Sequence, residues 1–317
     1  MPNLDGVQFI CGLFVEEKVI ALITGGSGFV GRHLADHLSD CGDEVITTDI
    51  SDGGPDLLDQ DAISELFLAV RPDVVYHLAG QADVGASWEN PRKTFRINAE
   101  GTLNVLTACR QASVKKVLTV SSAEVYGKVN SEELPVKETF PLAPASPYAV
   151  SKAAAETISI FEASRGLNVM CARSFNHFGP GQSAHFVASA LALRILQAKK
   201  DGEAAIPTGR LDTRRDFTDV RDVVRAYRSI ICNGTPGESY NVCSGQDRTI
   251  GELAEALMAA SECSIDLVPD ASLQRPSDLP ALRGDNTKIR SHTGWEPIVK
   301  FEKTVKDIID STQSLIN

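Results

Sequence analysis

Residues 18–42 read KVIALITGGSGFVGRHLADHLSDCG, and this stretch decides the fold. Its opening run, Val19 to Thr24, is short, apolar and rich in β-formers, which predicts a buried strand. The glycines after it give way to VGRHLADHLSDCG, whose apolar spacing predicts a helix closing near Gly42. Gly25, Gly28 and Gly31 fall three apart between the two. The first permits the turn, the second lets backbone approach a pyrophosphate, and the third allows close helix-to-strand packing. The helix start adds N–H groups and a positive dipole end. A plain tight turn would use glycines too, but their place between a strand and a helix points to dinucleotide binding.

Outward from there, EVITTD predicts a second strand ending at Asp49. A carboxylate at that position binds both ribose hydroxyls and repels a 2′-phosphate, which favours NAD (NADH when reduced) over NADP. The plainer reading of Asp49 is a solvated turn residue before SDGG. DAISELFLAVRPD is helical, VVYHLAG is a buried strand, and TFRINAEGTLNVLTACRQAS reads as one long helix. KKVLTVSS is the next strand, and SPYAVSKAAAETISIFEASRG is a helix with Ser146 as cap and Pro147 in its first turn. NVMCARSFN is a further strand. This alternation predicts an α/β fold, a doubly wound parallel (Rossmann) sheet with helices on both faces. After about Phe175 the pattern loosens into shorter elements broken by loops rich in Gly, Pro and Arg. The expected organisation is a dinucleotide-binding domain over 19–174, rejoined by about 216–243. A smaller mixed α/β substrate-binding domain is expected over 175–215 and 244–317, with 1–18 as an N-terminal extension.

Composition narrows the function. The net charge of −11 over 317 residues argues against a nucleic-acid binder. No apolar run is long enough to span a bilayer, and residues 1–18 lack the basic start of a signal peptide. The seven cysteines form no C-x-x-C pair and no metal-ligand spacing. Cys109, Cys171 and Cys243 lie in apolar surroundings and Cys41 and Cys232 near loops, so we expect thiols in a reducing cytoplasm and no metal.

In SPYAVSK, Tyr148 and Lys152 stand four apart, on one face of the predicted helix. Taken alone, the pair would equally be a buried tyrosine beside a solvated lysine. Together with the glycine turn, Asp49 and HLAG, it makes the chain resemble the extended short-chain dehydrogenase/reductase family, from about Val19 to the end. Members mostly act on nucleotide-diphosphate sugars as epimerases, dehydratases or reductases. The resemblance implies that Tyr148 moves a proton on or off a sugar oxygen while hydride moves to or from nicotinamide. A phenol is a poor base at its ordinary pKa of about 10. The Lys152 ammonium and oxidised nicotinamide would stabilise its phenolate, and Lys152 would also hold the nicotinamide ribose.

A third group is expected at the end of KKVLTVSS, where open sheets bind ligands. By sequence either Ser121 or Ser122 fits. The family pattern, with the hydroxyl four residues before Tyr126, selects Ser122. The resemblance also assigns the cofactor to Gly25, Gly28, Phe29, Val30, Gly31, Asp49 and Ile50, with Asp56 and Leu57 framing adenine and Leu78, Ala79 and Gly80 beneath it. Asn98 matches a structural asparagine. Asn176, Arg215 in RRDFTDV and Arg275 in RPSD match positions that hold the sugar diphosphate, a task suited to the guanidinium fork.

Three reactions share this pattern. A 4,6-dehydratase needs a base and an acid directly after the active serine, and this chain offers Ala123 and Glu124, of which only Glu124 could act. Glu124 is a candidate catalytic base or a solvated loop acid. RPSDLPALRGDNTKI with TGWEP resembles the C-terminal stretch of UDP-glucose/galactose-type 4-epimerases, which hold NAD tightly. FNHFGPGQ with YNVCSGQ resembles most the reductases that convert GDP-4-keto-6-deoxymannose to GDP-rhamnose, and that is the leading expectation. A non-catalytic NAD-binding sensor is the fourth reading, and retention of Ser122, Tyr148 and Lys152 weighs against it. The resemblance further implies a homodimer formed by helices at about Thr94 to Ala112 and Pro147 to Ser164.

Overall fold

The structure is a computed structural model and describes residues 18–270, 273 and 280–316. In chain order its first half contains β1 (Ile20–Thr24), α1 (Phe29–Asp40), β2 (Glu44–Thr48), α2 (Gln60–Val70), β3 (Val74–His77), α3 (Val84–Glu89) and α4 (Pro91–Phe95). Next come α5 (Gly101–Gln111), β4 (Lys116–Ser122), α6 (Pro147–Ser164) and β5 (Val169–Ser174). The second half contains β6 (Asn176–Phe178), α7 (Val187–Asp201), β7 (Ala205–Thr208), β8 (Arg214–Asp219), α8 (Val220–Asn233), β9 (Ser239–Val242) and β10 (Asp247–Thr249). It ends with α9 (Ile250–Ala260), β11 (Asp266–Pro269), β12 (Ala281–Leu282), α10 (Thr287–Thr293) and α11 (Phe301–Ile316).

Six strands form one sheet in the order β2-β1-β3-β4-β5-β9, every neighbouring pair parallel. The chain steps one way from β1 to β2 and the other way from β3 onward. The strand order therefore reverses at β1–β3, which opens a crevice at the carboxyl ends of those strands. The glycine turn after β1 sits at this crevice. Helices cover both faces, so β3 and β5 are buried along their whole length. On one face α1 and α8 pack Leu34, Leu38, Val223, Tyr227 and Ile230 against the strands. On the other, α2 and α5 bring Ile63, Phe67, Val105 and Leu106. Leu34 and Leu38, four apart and fully buried, are the reason α1 lies flat on the sheet. Truncating either to alanine would cost about 2–5 kcal/mol.

Local signals set the helix starts that matter for the site. Asp59 accepts from the Ala62 amide at 3.0 Å and opens α2. Ser146 accepts from the Ala149 amide at 3.1 Å, with Pro147 at the first helical position of α6. The stretch expected as one helix from Thr94 is continuously helical, running through α4, a π-helical turn over Arg96–Glu100, and α5. The extra residue in that turn is associated with Asn98, whose side chain bonds away from its own helix to Gln81 and Ser151.

In the second half β8 pairs with β6, β10 and β12, while β7 pairs with β11. A second core gathers Leu191, Ile195, Leu253, Leu257, Val305, Ile308 and Ile309 from α7, α9 and α11. The strands here are mostly shorter than those of the first half, as expected, but the helices are not, with 15 residues in α7 and 16 in α11. In α11 the buried stripe is Thr304, Val305, Ile308 and Ile309, while Glu302, Lys303 and Lys306 lie exposed on the opposite side.

Candidate active site

The seam between α6 and β4 carries the densest polar chemistry of the molecule. Tyr148 and Ser122 face each other across the seam, close enough for the serine hydroxyl to favour the phenolate. Lys152 Nζ donates to the Val120 carbonyl at 2.8 Å. Ser121 donates to Glu156 Oε2 at 2.6 Å, and Thr119 Oγ1 donates to Ser159 Oγ at 3.0 Å. Ser121, the competitor of Ser122 on sequence, is thus turned towards Glu156, and its proton is committed there. Ser122 also accepts from the Glu124 amide at 3.2 Å, which fixes its rotamer at the strand end.

Burial sets the electrostatics. It pushes the Tyr148 phenol up to about 12; the Ser122 bond pulls the other way, and the Glu124 charge adds to the rise. Burial lowers Lys152 to about 8. Tyr148 therefore rests as a neutral phenol, a proton donor, while Lys152 sits where a change of charge costs little.

The floor beneath is neutral and fixed. Thr102 donates its proton to the Asn98 carbonyl at 2.6 Å, so it must accept from His77 Nε2 at 3.0 Å. His77 Nδ1 then accepts from Thr24 Oγ1 at 2.7 Å. Burial, helped by the Lys152 charge, lowers His77 to about 3, and the ring stays neutral at working pH. Asn98 bonds the backbone of Gln81 in both directions, at 2.8 and 3.0 Å, and donates to Ser151 Oγ at 2.8 Å. It ties the segment after β3 to α6, which matches the structural role expected for it.

The glycine turn fits a dinucleotide. Gly25 has φ +77°, and a Cβ there would meet the Ala79 amide nitrogen at 2.7 Å. A Cβ on Gly31 would meet the Gly25 carbonyl oxygen at 2.2 Å, so only glycine lets α1 start this close to β1. Gly28 is the N-cap of α1, and no side chain bonds the helix start, which leaves that end to an anion. Phe29 and Val30 open α1, half-buried. Asp49 comes directly after β2 and accepts from the Ser51 amide and hydroxyl through Oδ1, both at 2.9 Å. Ile50 beside it is 65 % exposed, an apolar surface where an adenine would lie. Leu78, Ala79 and Gly80 continue from β3 beneath this turn. Asp56 is engaged in a local turn through the Leu58 amide at 2.9 Å, and Leu57 packs against Gly101.

On the other side of the crevice the residues are open. Asn176 is exposed at the start of β6, in register with Phe217 of β8. Arg215 is half-buried on β8, and its Nη1 donates to the Arg214 carbonyl at 2.8 Å. Arg275 lies outside the described residues. Sequence reading missed Asp216, which sits inside the motif that singled out Arg215. Its buried carboxylate accepts from the Ser244 amide and hydroxyl at 2.8 and 2.6 Å, Gly245 at 2.9 Å and Gly284 at 3.3 Å. It staples three chain segments behind Arg215, although burial raises it to about 6. Glu156 was missed as well. Its spacing was the available signal, four residues beyond Lys152 as Lys152 is beyond Tyr148. Among the described residues, no group of three or more His, Cys, Asp or Glu is placed to hold a metal ion.

The family model of GDP-mannose 4,6 dehydratase matches residues 53–308. GDP-6-deoxy-D-mannose reductase of Pseudomonas aeruginosa is 36 % identical over 297 residues, covering 93 % of this chain and 97 % of that one. The solved structure of RMD from Pseudomonas aeruginosa complexed with NADPH superposes with a TM-score of 0.86 at 36 % identity, covering 94 % of this chain and all of that one. UDP-glucose 4-epimerase from Thermotoga maritima, solved with UDP-glucose, gives 0.87 at 28 % identity over 94 % of this chain and all of that one. With the parallel sheet, the glycine turn and the Ser122–Tyr148–Lys152 trio, these matches place the protein: it belongs to the GDP-mannose 4,6-dehydratase family, nicotinamide-dependent nucleotide-sugar enzymes of the extended short-chain dehydrogenase/reductase class.

Proposed function

We propose that the protein reduces the 4-keto group of GDP-4-keto-6-deoxy-D-mannose to give GDP-D-rhamnose. The observation that carries this reading is the residue next to Ser122. Ala123 is buried and cannot donate a proton, so the trio stands without the acid of a dehydratase pair. The family kinship to GDP-6-deoxy-D-mannose reductase supports it. Gly25, Gly28, Gly31, Asp49, Ile50 and Lys152 would hold the cofactor, which supplies the hydride. Ser122 holds the sugar O4, and the neutral Tyr148 phenol releases its proton to that oxygen as negative charge develops there. Glu124 discourages early loss of that proton, and the Lys152 ammonium offsets the phenolate that remains. Asn176, Arg215 and Arg275 would hold the diphosphate.

NADH is the proposed reductant. Asp49 stands at the end of β2, and Asp52 accepts from the Ser27 hydroxyl beside the glycine turn, so two carboxylates face the place of a 2′-phosphate. The RMD complex holds NADPH, so the two reductants are the natural comparison. Residues 19–174 with 216–243 would bind the cofactor, and 175–215 with 244–317 the nucleotide sugar. A homodimer is proposed through α4–α5 and α6, which expose Phe95, Leu103, Val150, Ile160 and Phe161. No helix among the described residues is long and apolar enough to cross a membrane, and a cytoplasmic setting accords with the free thiols.

Purified protein mixed with NADH and the GDP-ketosugar should lose reduced-nicotinamide absorbance in step with substrate. Tyr148→Phe should lower kcat by about 10²–10⁴-fold and leave KM within a few-fold. Absence of oxidation, with NAD retained through purification, would move the weight to a 4-epimerase or dehydratase that recycles its own cofactor.

A further inference from the structure

Tyr148, Lys152 and Glu156 form a single stripe on α6, and the proposed reaction gives a task only to the first two. Glu156 has no exposed side-chain surface, and its partner Arg173 on β5 shows 7 %. Arg173 Nε and Nη2 both donate to Glu156 Oε1, at 2.9 and 2.7 Å, and Ser239 of β9 donates to the same oxygen at 2.6 Å. Arg173 Nη1 donates to the Tyr126 hydroxyl and the Glu138 carbonyl, both at 2.9 Å, and its guanidinium lies 5.0 Å from the Tyr126 ring centre. Tyr126 in turn donates to Asn241 at 2.6 Å. Glu156 Oε2 is left to receive Ser121, the residue adjacent to Ser122.

A buried ion pair adds little net stability over an apolar pair of the same shape, so stability alone is a poor account of it. Geometry is a better one. Burying a charge makes its bonds stiff and directional, and this carboxylate spans α6, β4, β5 and β9 at once. We propose that Glu156, oriented by Arg173, is a positioning residue: through Ser121 it clamps α6 to the end of β4 and so holds Tyr148 against Ser122. The proposal rests on the reading of Tyr148 as the proton donor. Neither Glu156 nor Arg173 touches the reacting atoms. Their effect passes through the backbone of two adjacent residues on β4 and through two turns of α6.

Ser121→Ala removes the link and leaves the ion pair intact, while Glu156→Gln keeps the shape and removes the charge. Amide hydrogen exchange by mass spectrometry, peptide by peptide, reads the clamp without any substrate. The expected result for both variants is exchange across residues 148–156 faster by about threefold or more, with residues 101–111 unchanged. With the GDP-ketosugar, kcat should fall about 10-fold with KM within twofold, since small misplacements of a proton donor are costly. The solvent deuterium isotope effect on kcat should rise, because proton transfer becomes slower relative to other steps. Loss of folded protein alone would leave that isotope effect where it was. Unchanged exchange across 148–156 in Ser121→Ala overturns the clamp, and so does faster exchange with kcat and isotope effect both unaltered. Should Glu156→Gln fail to fold, Ser121→Ala decides. A wild-type protein that never turns over the ketosugar defeats the proposed reaction, and the exchange measurement still judges the clamp.

Discussion

The α6–β4 seam and the β8 face treat charge in opposite ways. At the seam the groups are buried, the phenol is pushed up to about 12 and the ammonium down to about 8, and each is tied to a strand beside it. At β8 and its partner β6, Arg215 and Asn176 remain reachable from water, and the buried charge is Asp216 behind them. Chemistry needs groups whose protonation is poised and whose positions cost nothing to reach at the moment of reaction. Binding a diphosphate needs cations that stay charged and can close on the ligand. The division predicts that damage on one side leaves the other side's measurable quantity alone.

Among changes to binding, the largest effect on the cofactor should come from crowding the glycine turn. Gly31→Ala places a methyl group 2.2 Å from the Gly25 carbonyl oxygen, with backbone on both sides and nowhere to give. Overpacking of this kind costs typically about 1–3 kcal/mol, which is about 5- to 150-fold in affinity if spent on the loop that holds the cofactor. Calorimetric titration with NADH should show that loss. Binding of GDP to the same variant should stay within about threefold. If GDP affinity drops in parallel, the two sides are not separable and the comparison breaks.

The reciprocal change is of comparable size. Arg215→Met keeps the length of the side chain and removes the guanidinium. A hydrogen bond to a charged group contributes about 1.5–3 kcal/mol, so KM for the GDP-sugar should rise about 10- to 150-fold. NADH affinity should not move, and kcat should stay within a few-fold. A fall in kcat with unchanged KM would place Arg215 in the chemistry and not in binding.

The same division explains what was legible from the chain. In the first half each functional group is fixed by the element that carries it: a turn after β1, a strand end at Ser122, a helix face at Tyr148 and Lys152. Short motifs record such placements, so the parallel sheet and the cluster around SPYAVSK follow from local pattern. Even there the π turn within the helix expected from Thr94 was not foreseen. A π turn is specified by what Asn98 reaches, the backbone of Gln81 and Ser151, and helical periodicity does not encode that. In the second half β8 acquires partners from three separate segments, and Asp216 is held by residues 244, 245 and 284. Pairings that distant leave no periodic trace. Arg215 was singled out through resemblance, while Asp216, its neighbour in the same motif, was passed over because a buried carboxylate and a solvated one look alike in sequence.

The smallest expected effect is the most informative about the reaction. Glu124 is half-buried in the turn after Ser122, and its charge adds to the rise in the Tyr148 pKa. A dehydratase would need this carboxylate to remove a sugar proton, and Glu124→Gln would then cost about 10²–10⁴-fold, as loss of a general base does. A reductase has no proton to remove there. The consequence for the reaction is electrostatic: a neutral amide beside Tyr148 lets its pKa fall, which makes the phenol a slightly better donor. The substitution should therefore leave kcat for reduction of the GDP-ketosugar within about threefold, well inside the range of a modest pKa change. The pH profile gives the sign. If ionisation of Tyr148 limits the alkaline limb, that limb should move to lower pH in Glu124→Gln, because the phenol then ionises earlier. A collapse of activity would return Glu124 to the role of base. A small change in kcat with the alkaline limb moved down would leave it as a charge that keeps the proton on Tyr148 until the sugar oxygen can take it.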